Sequence, residues 1–181
     1  MVFLDFDGVL HRGDDMRQVL FLDYDGVLHR GDTYVTPDGV VSSAPGTIEL
    51  FEFAPVLLEL LEPYPQIEIC LSTDWCFRFG FERAREALPL RGLRQRVTGT
   101  TYEEEEDSTV WLARQRGVQI LRYARRHNIA SWLAADDRRD GFQGYHDRLI
   151  HCQTESALGD TAVVELFRSR LRERFVEEPR G

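Results

Sequence analysis

At 181 residues, 43% apolar and 29% charged, the chain has the composition of one globular domain able to bury a core without disulfide or metal staples. Its net charge of −9 excludes broad, sequence-independent nucleic-acid binding, which depends on neutralising phosphates; a nucleotide or strand end in a local basic pocket stays open. No apolar run approaches the ~20 residues of a membrane span and no basic-then-apolar leader is evident, so a cytoplasmic location without a membrane partner is expected. Cys70, Cys76 and Cys152 lack metal-type spacing and are read as free thiols.

In chain order, residues 19–23 form a short apolar run, as expected of a strand buried on both faces. Residues 34–41 set β-formers around Pro-Asp-Gly and predict a small hairpin or flap. Residues 53–61 are apolar at helical spacing, with Pro55 tolerable in a first turn. A second buried strand, 67–71, runs into Ser72-Thr73-Asp74-Trp75. An amphipathic helix is predicted over 77–88, a short strand over 96–98 and a polar loop over 100–108. Val118, Leu121 and Ala124 define one face of a helix over 116–127, stopped at Asn128. Residues 132–135 form a third apolar strand ending in Asp136-Asp137, and 149–152 a fourth. Asp160 caps a closing helix that runs to Phe175. Strands alternating with helices imply an α/β fold, a doubly wound parallel sheet covered on both faces, in which ligands bind beyond the carboxyl ends of the strands.

One motif is written twice. Residues 2–14 read VFLDFDGVLHRGD and residues 20–32 read LFLDYDGVLHRGD, identical at 11 of 13 positions. An apolar run ending in Asp-x-Asp-Gly sets two carboxylates on a turn just past a buried strand, an arrangement suited to holding Mg²⁺ and presenting a carboxylate nucleophile to phosphorus. Strand ends at Asp23-Tyr24-Asp25, Ser72-Thr73 and Asp136-Asp137 converge on one site.

These residues resemble the haloacid dehalogenase-like (HAD) superfamily of phosphohydrolases over roughly residues 19–175. Its four signatures match, in order, Asp23-Tyr24-Asp25-Gly26, Ser72, a basic residue near a helix start and Asp136-Asp137. The finer pattern of residues 71–75 and 96–101 is similar to the small HAD domain associated with bacterial RNA-repair proteins. The third signature is Lys in the superfamily, but all 22 basic residues here are Arg. Arg116 is the candidate and Arg114 its competitor; either supplies charge as a planar fork rather than a point.

The resemblance implies a Mg²⁺-dependent phosphatase with a minimal cap or none. Asp23 forms an aspartyl-phosphate, and Asp25 protonates the leaving oxygen and then activates water. The metal is held by the Asp23 carboxylate, the Asp25 carbonyl, Asp136 and Asp137; Ser72, Thr73, Gly26 and Arg116 bind the phosphoryl oxygens. The substrate is a phosphorylated small molecule or a nucleic-acid end. The missing Lys and the duplicated motif also fit an alternative, a non-catalytic phosphate- or partner-binding module that keeps the fold.

Two copies cannot share one strand position, and residues 11–18 are too short and polar for a parallel crossover. Residues 19–181 are therefore expected to form the phosphohydrolase domain, with Asp23 and Asp25 in the site. Residues 1–18, carrying Asp5 and Asp7, are expected to be a peripheral or disordered arm, or a segment exchanged in a domain-swapped homo-oligomer. His29 (repeated as His11) is read as a packing or surface residue in preference to one bordering the pocket, and Trp75, Trp111 and Trp132 as core or rim. The acidic run 103–107 is read as a solvated loop.

Overall fold

The computed structural model describes residues 16–103 and 107–175 in full, and residues 2–4 and 10–12 as backbone. Strands β1 (Val2–Leu4) and β2 (Leu10–Arg12) pair antiparallel with each other. Asp5 and Asp7, and with them the question of what the first motif copy does, lie outside the described residues. The second copy supplies β3 (Gln18–Leu22), followed by a hairpin of β4 (Thr33–Thr36) and β5 (Gly39–Ser42) and by helix α1 (Ala54–Leu61). The tripeptide Leu-His-Arg is thus strand β2 in the first copy but turn in the second, at residues 28–30. In the second copy the chain turns directly after β3, which has a strand hydrogen-bonded on each side, the Val27 and Leu28 amides both donating to the Tyr24 carbonyl.

Those neighbours are β6 (Glu68–Leu71) and, beyond β7 (Val97–Thr100) in sequence, β8 (Ser131–Asp136). With β9 (Leu149–His151) the sheet has five strands in the order β7-β6-β3-β8-β9, every pairing parallel. The order reverses at β3, so the crevice beyond its carboxyl end is the natural ligand site. Between β3 and β6 the described elements are the hairpin and α1, with no inserted cap domain.

Strand alternation divides the core. Leu20 and Leu22 pack with Leu57 and Leu61 of α1 and with Phe167 and Leu171 of the closing helix, while Val19 and Phe21 pack with Ile120 and Ala124 on the opposite face. The amphipathic stretch expected at 77–88 is two helices, α2 (Trp75–Phe79) and α3 (Phe81–Glu86). Gly80 breaks them with φ of 85°, a left-handed backbone that glycine tolerates. Short α4 (Arg91–Arg94) and α5 (Ser108–Ala113) carried too little periodicity to be read from sequence. Asp107, at the end of the acidic run, caps α5 by accepting the Thr109 and Val110 amides. Helices α6 (Arg116–Arg126) and α7 (Thr161–Arg174) fall where predicted, Asn128 turning the chain at φ 53° and Asp160 accepting the Ala162 amide. Among the described residues no helix is long and apolar enough to cross a membrane.

Phe21 stands edge-on to Tyr123 and Trp132, centroids 5.9 and 5.7 Å away. Phe21→Ala should cost about 3–5 kcal/mol in urea unfolding, as loss of a fully buried ring requires. A loss under about 1 kcal/mol would contradict this packing.

Candidate active site

The site lies at the carboxyl ends of β3, β6 and β8. Asp23, directly after β3, is 4% exposed, and Asp136, the last residue of β8, is fully buried. Asp137 follows, and one carboxylate oxygen from each of these three residues can be chosen so that all lie within 4.8 Å of one another. The Asp23 carboxylate is oriented by the Tyr24 amide, which donates to Oδ1 at 2.8 Å. Asp136 Oδ1 accepts the Arg138 amide and Asp137 Oδ2 the Thr154 hydroxyl, at 2.9 and 2.8 Å. The Gly26 amide donates to the Gly31 carbonyl. Glycine is required at 26 because φ is +69° and a Cβ would fall 2.3 Å from Asp137 Oδ2.

Arg116, at the start of α6, is 2% exposed and enters this cluster. Its Nη2 lies 3.6 Å from Asp23 Oδ2 and 3.3 Å from Asp74 Oδ1, and its Nε 3.1 Å from Asp136 Oδ2. Nη1 donates to the Ser72 carbonyl and to Gln119 Oε1. The helix start is fixed from outside: Asp140 Oδ2 accepts the Arg116 amide at 2.9 Å and its carbonyl accepts the Gly117 amide. Arg138 grips the Asp140 carboxylate through both Nε and Nη2. Arg114 instead lines a separate cavity with Trp111 and Arg122. Of the two arginines weighed from sequence, it is Arg116 that the fold brings among the carboxylates.

The electrostatics follow from burial. Asp23 is raised well above the usual carboxylate range by desolvation and by Asp136, with Arg116 opposing. Desolvation raises Asp136 to about 6 against the pull of Arg116, and raises Asp137 as well. Burial works against the Arg116 charge, but Asp136, Asp23 and Asp74 more than offset it and raise its pKa. When ionised, Asp23, Asp136 and Asp137 outnumber the one guanidinium buried among them, an excess of negative charge that a bound cation would relieve. The ion pair between Arg116 Nε and Asp136 Oδ2 lies off the hydrogen-bond direction, so that buried oxygen lacks a hydrogen bond. An all-oxygen donor set with an orphaned carboxylate oxygen fits Mg²⁺.

Asp25 occupies a different environment. Its Oδ1 accepts from His29 Nε2 at 2.9 Å and Trp75 Nε1 at 3.2 Å, and Thr33 Oγ1 stands 3.1 and 3.0 Å from its two oxygens. The Phe51 amide donates to His29 Nδ1, which places the ring proton on Nε2, facing Asp25. Phe51 holds φ of 59° to do so, a backbone cost of order 1–3 kcal/mol for a non-glycine residue. His29, read from sequence as packing or surface, is buried and bonded to Asp25; Trp75 belongs both to the core and to the site. Thr33 and Gln119 gave no sequence signal beyond their places beside the motif and one helical turn from Arg116. Ser72 is 1% exposed and its Oγ has no hydrogen-bond partner, whereas Thr73 Oγ1 accepts the Trp75 amide.

Aspartates gathered around one buried cation at the carboxyl edge of a doubly wound sheet, fed by three strand ends, define a HAD-like hydrolase fold. The chain belongs to the family described as the HAD domain in Swiss Army Knife RNA repair proteins, which matches residues 19–163. That match begins in β3, in the second copy of the motif. No curated protein and no solved structure matches the chain.

A folded-state pKa above the usual 3.8 means that the metal-free fold binds protons more tightly than the unfolded chain. The resulting stability is fully present below about pH 4 and is lost as pH rises through about 6. Mg²⁺ bound at this cluster would compete with those protons, so its stabilising effect should grow with pH. At a hundredfold excess over Kd the gain is about 2.7 kcal/mol, on the order of 5–10 °C in Tm. The shift should be larger near pH 7.5 than near pH 5 and should disappear in Asp136→Asn. Equal shifts at both pH values would exclude this cluster as the ion's site.

Proposed function

We propose that the protein is a Mg²⁺-dependent phosphoric monoester hydrolase acting through an aspartyl-phosphate on Asp23, with nucleotide or nucleic-acid-end phosphates as substrates. The observation that carries this reading is the division among the carboxylates. Asp23, Asp136 and Asp137 crowd one cation, while Asp25 stands apart among neutral donors. Two carboxylate environments in one site suit two roles, a nucleophile and an acid–base group. A binding module that only held phosphate would have no use for the second.

A Mg²⁺ held by Asp23, the Asp25 carbonyl, Asp136 and Asp137 would neutralise charge between anionic nucleophile and anionic phosphate. An Asp23 oxygen attacks phosphorus as the bond to the leaving oxygen breaks, and Asp25 gives that oxygen its proton. The same carboxylate then takes a proton from water, whose oxygen attacks phosphorus; the bond to Asp23 breaks and inorganic phosphate leaves. Arg116 and the Ser72 hydroxyl hold the transferring oxygens. His29 and Trp75 both donate to Asp25 Oδ1 and Thr33 reaches both oxygens, which holds the carboxyl group in a fixed orientation for proton transfer. The nucleic-acid end is supported by the RNA-repair description of the family and by the absence of a cap fold between β3 and β6 among the described residues.

The test is hydrolysis of an aryl phosphate with and without Mg²⁺. Asp23→Asn should abolish turnover while Asp5→Asn retains it; the reverse pattern would move the site to the first motif copy. Asp25→Asn should lower kcat about 10²–10⁴-fold on an alkyl phosphate, whose leaving group needs a proton, and less on an activated aryl phosphate. Thr33→Val should reproduce that leaving-group dependence in weaker form. A loss equal on both esters would show that these residues do not serve the leaving oxygen.

A further inference from the structure

The crevice beyond β3 encloses about 440 Å³ and extends past the phosphoryl-transfer groups. Its outer lining includes Tyr34 and Val35 of the hairpin and Arg78 of α2. Tyr34 is 57% exposed and Val35 60% exposed, a large apolar surface to leave in water at the mouth of a carboxylate-lined site. The Tyr34 ring makes no hydrogen bond or ring contact with another described residue. Three arginines line the crevice. Arg116 is locked among carboxylates and Arg138 is clamped to Asp140, but the Arg78 guanidinium makes no hydrogen bond or ion pair with a described residue. A site built to take an anion therefore carries, outside its catalytic groups, one uncommitted cation and one uncommitted aromatic face.

We infer that Tyr34 and Arg78 form a recognition subsite for the nucleotide beyond the scissile phosphate, Tyr34 stacking on the base and Arg78 gripping the neighbouring phosphodiester. The inference rests on the hydrolase reading above and sharpens it. A lone phosphate ester has nothing for either residue, a mononucleotide satisfies Tyr34, and a strand end satisfies both. Aromatic stacking is indifferent to base identity because every base has a π-face, so the subsite selects ends without selecting sequence. Arg can grip the diester through two parallel N–H groups.

The experiment compares kcat/KM for an aryl phosphate, a nucleoside monophosphate, a trinucleotide with a terminal phosphate, and the same trinucleotide with an abasic terminal residue. In wild type the trinucleotide should exceed the aryl phosphate by tenfold or more, on the scale of one stacked base. Tyr34→Ala should lower the ratio of trinucleotide to aryl phosphate about tenfold and erase the difference between base-bearing and abasic strands. Arg78→Gln should bring the trinucleotide down to the level of the mononucleotide. Wild-type values equal across the series would overturn the subsite, as would variants that lower all four substrates by one factor. Absence of Mg²⁺-dependent turnover on every substrate, the aryl phosphate included, would instead overturn the hydrolase reading and the subsite with it.

Discussion

Arg116 is the residue on which the site's arrangement depends. A guanidinium 2% exposed would be untenable alone, and so would the carboxylates of Asp23 and Asp136. Each makes the burial of the other tolerable. The contacts reach from the first helical residue of α6 to the ends of β3, β6 and β8, so one charge ties together segments far apart in sequence. Gln119 and the Ser72 carbonyl accept from Nη1 and fix the plane of the fork. Replacing it by an ammonium would keep the charge but lose the simultaneous reach to Ser72, Asp74 and Asp136.

The second organising feature is the aromatic bed beneath Asp25. Tyr24, Phe51, Trp75 and Phe79 meet edge-to-face, with centroids 5.1–5.5 Å apart, and His29 joins them through Phe51. Tyr24 is anchored by its hydroxyl to the Ala84 carbonyl. The bed packs around Trp75 and His29, whose Nε1 and Nε2 both donate to Asp25 Oδ1. Core packing and site geometry are the same set of contacts here.

Much of this was legible in the sequence because the signals were local. The apolar runs before Asp23, Ser72 and Asp136 announced buried parallel strands, and their polar ends fell on one edge once the strands were assembled. Arg116 could be nominated but not separated from Arg114, since only the docking of α6 against Asp140 decides which arginine points inward. A histidine in a turn carries no periodic signal, so sequence alone does not separate pocket from packing for His29; its partners, Asp25 and the Phe51 amide, are four and twenty-two residues away. The periodic pattern over 77–88 runs through Gly80 without a break, whereas the backbone there turns left-handed and splits the helix in two. The two motif copies mark the limit of local reading, since nearly the same residues take different backbone paths.

The hairpin has a further consequence. Thr33 and Tyr34 are adjacent on β4, yet Thr33 is 5% exposed and touches Asp25, while Tyr34 is 57% exposed. Strand alternation sends these two neighbouring side chains in opposite directions. The Tyr34 side chain makes no hydrogen bond to Asp25, so a substitution there alters the lining of the crevice while leaving the Thr33–Asp25 hydrogen bond in place. One short strand thus carries both a contact that fixes the interior of the site and a side chain that sets the character of its outer surface.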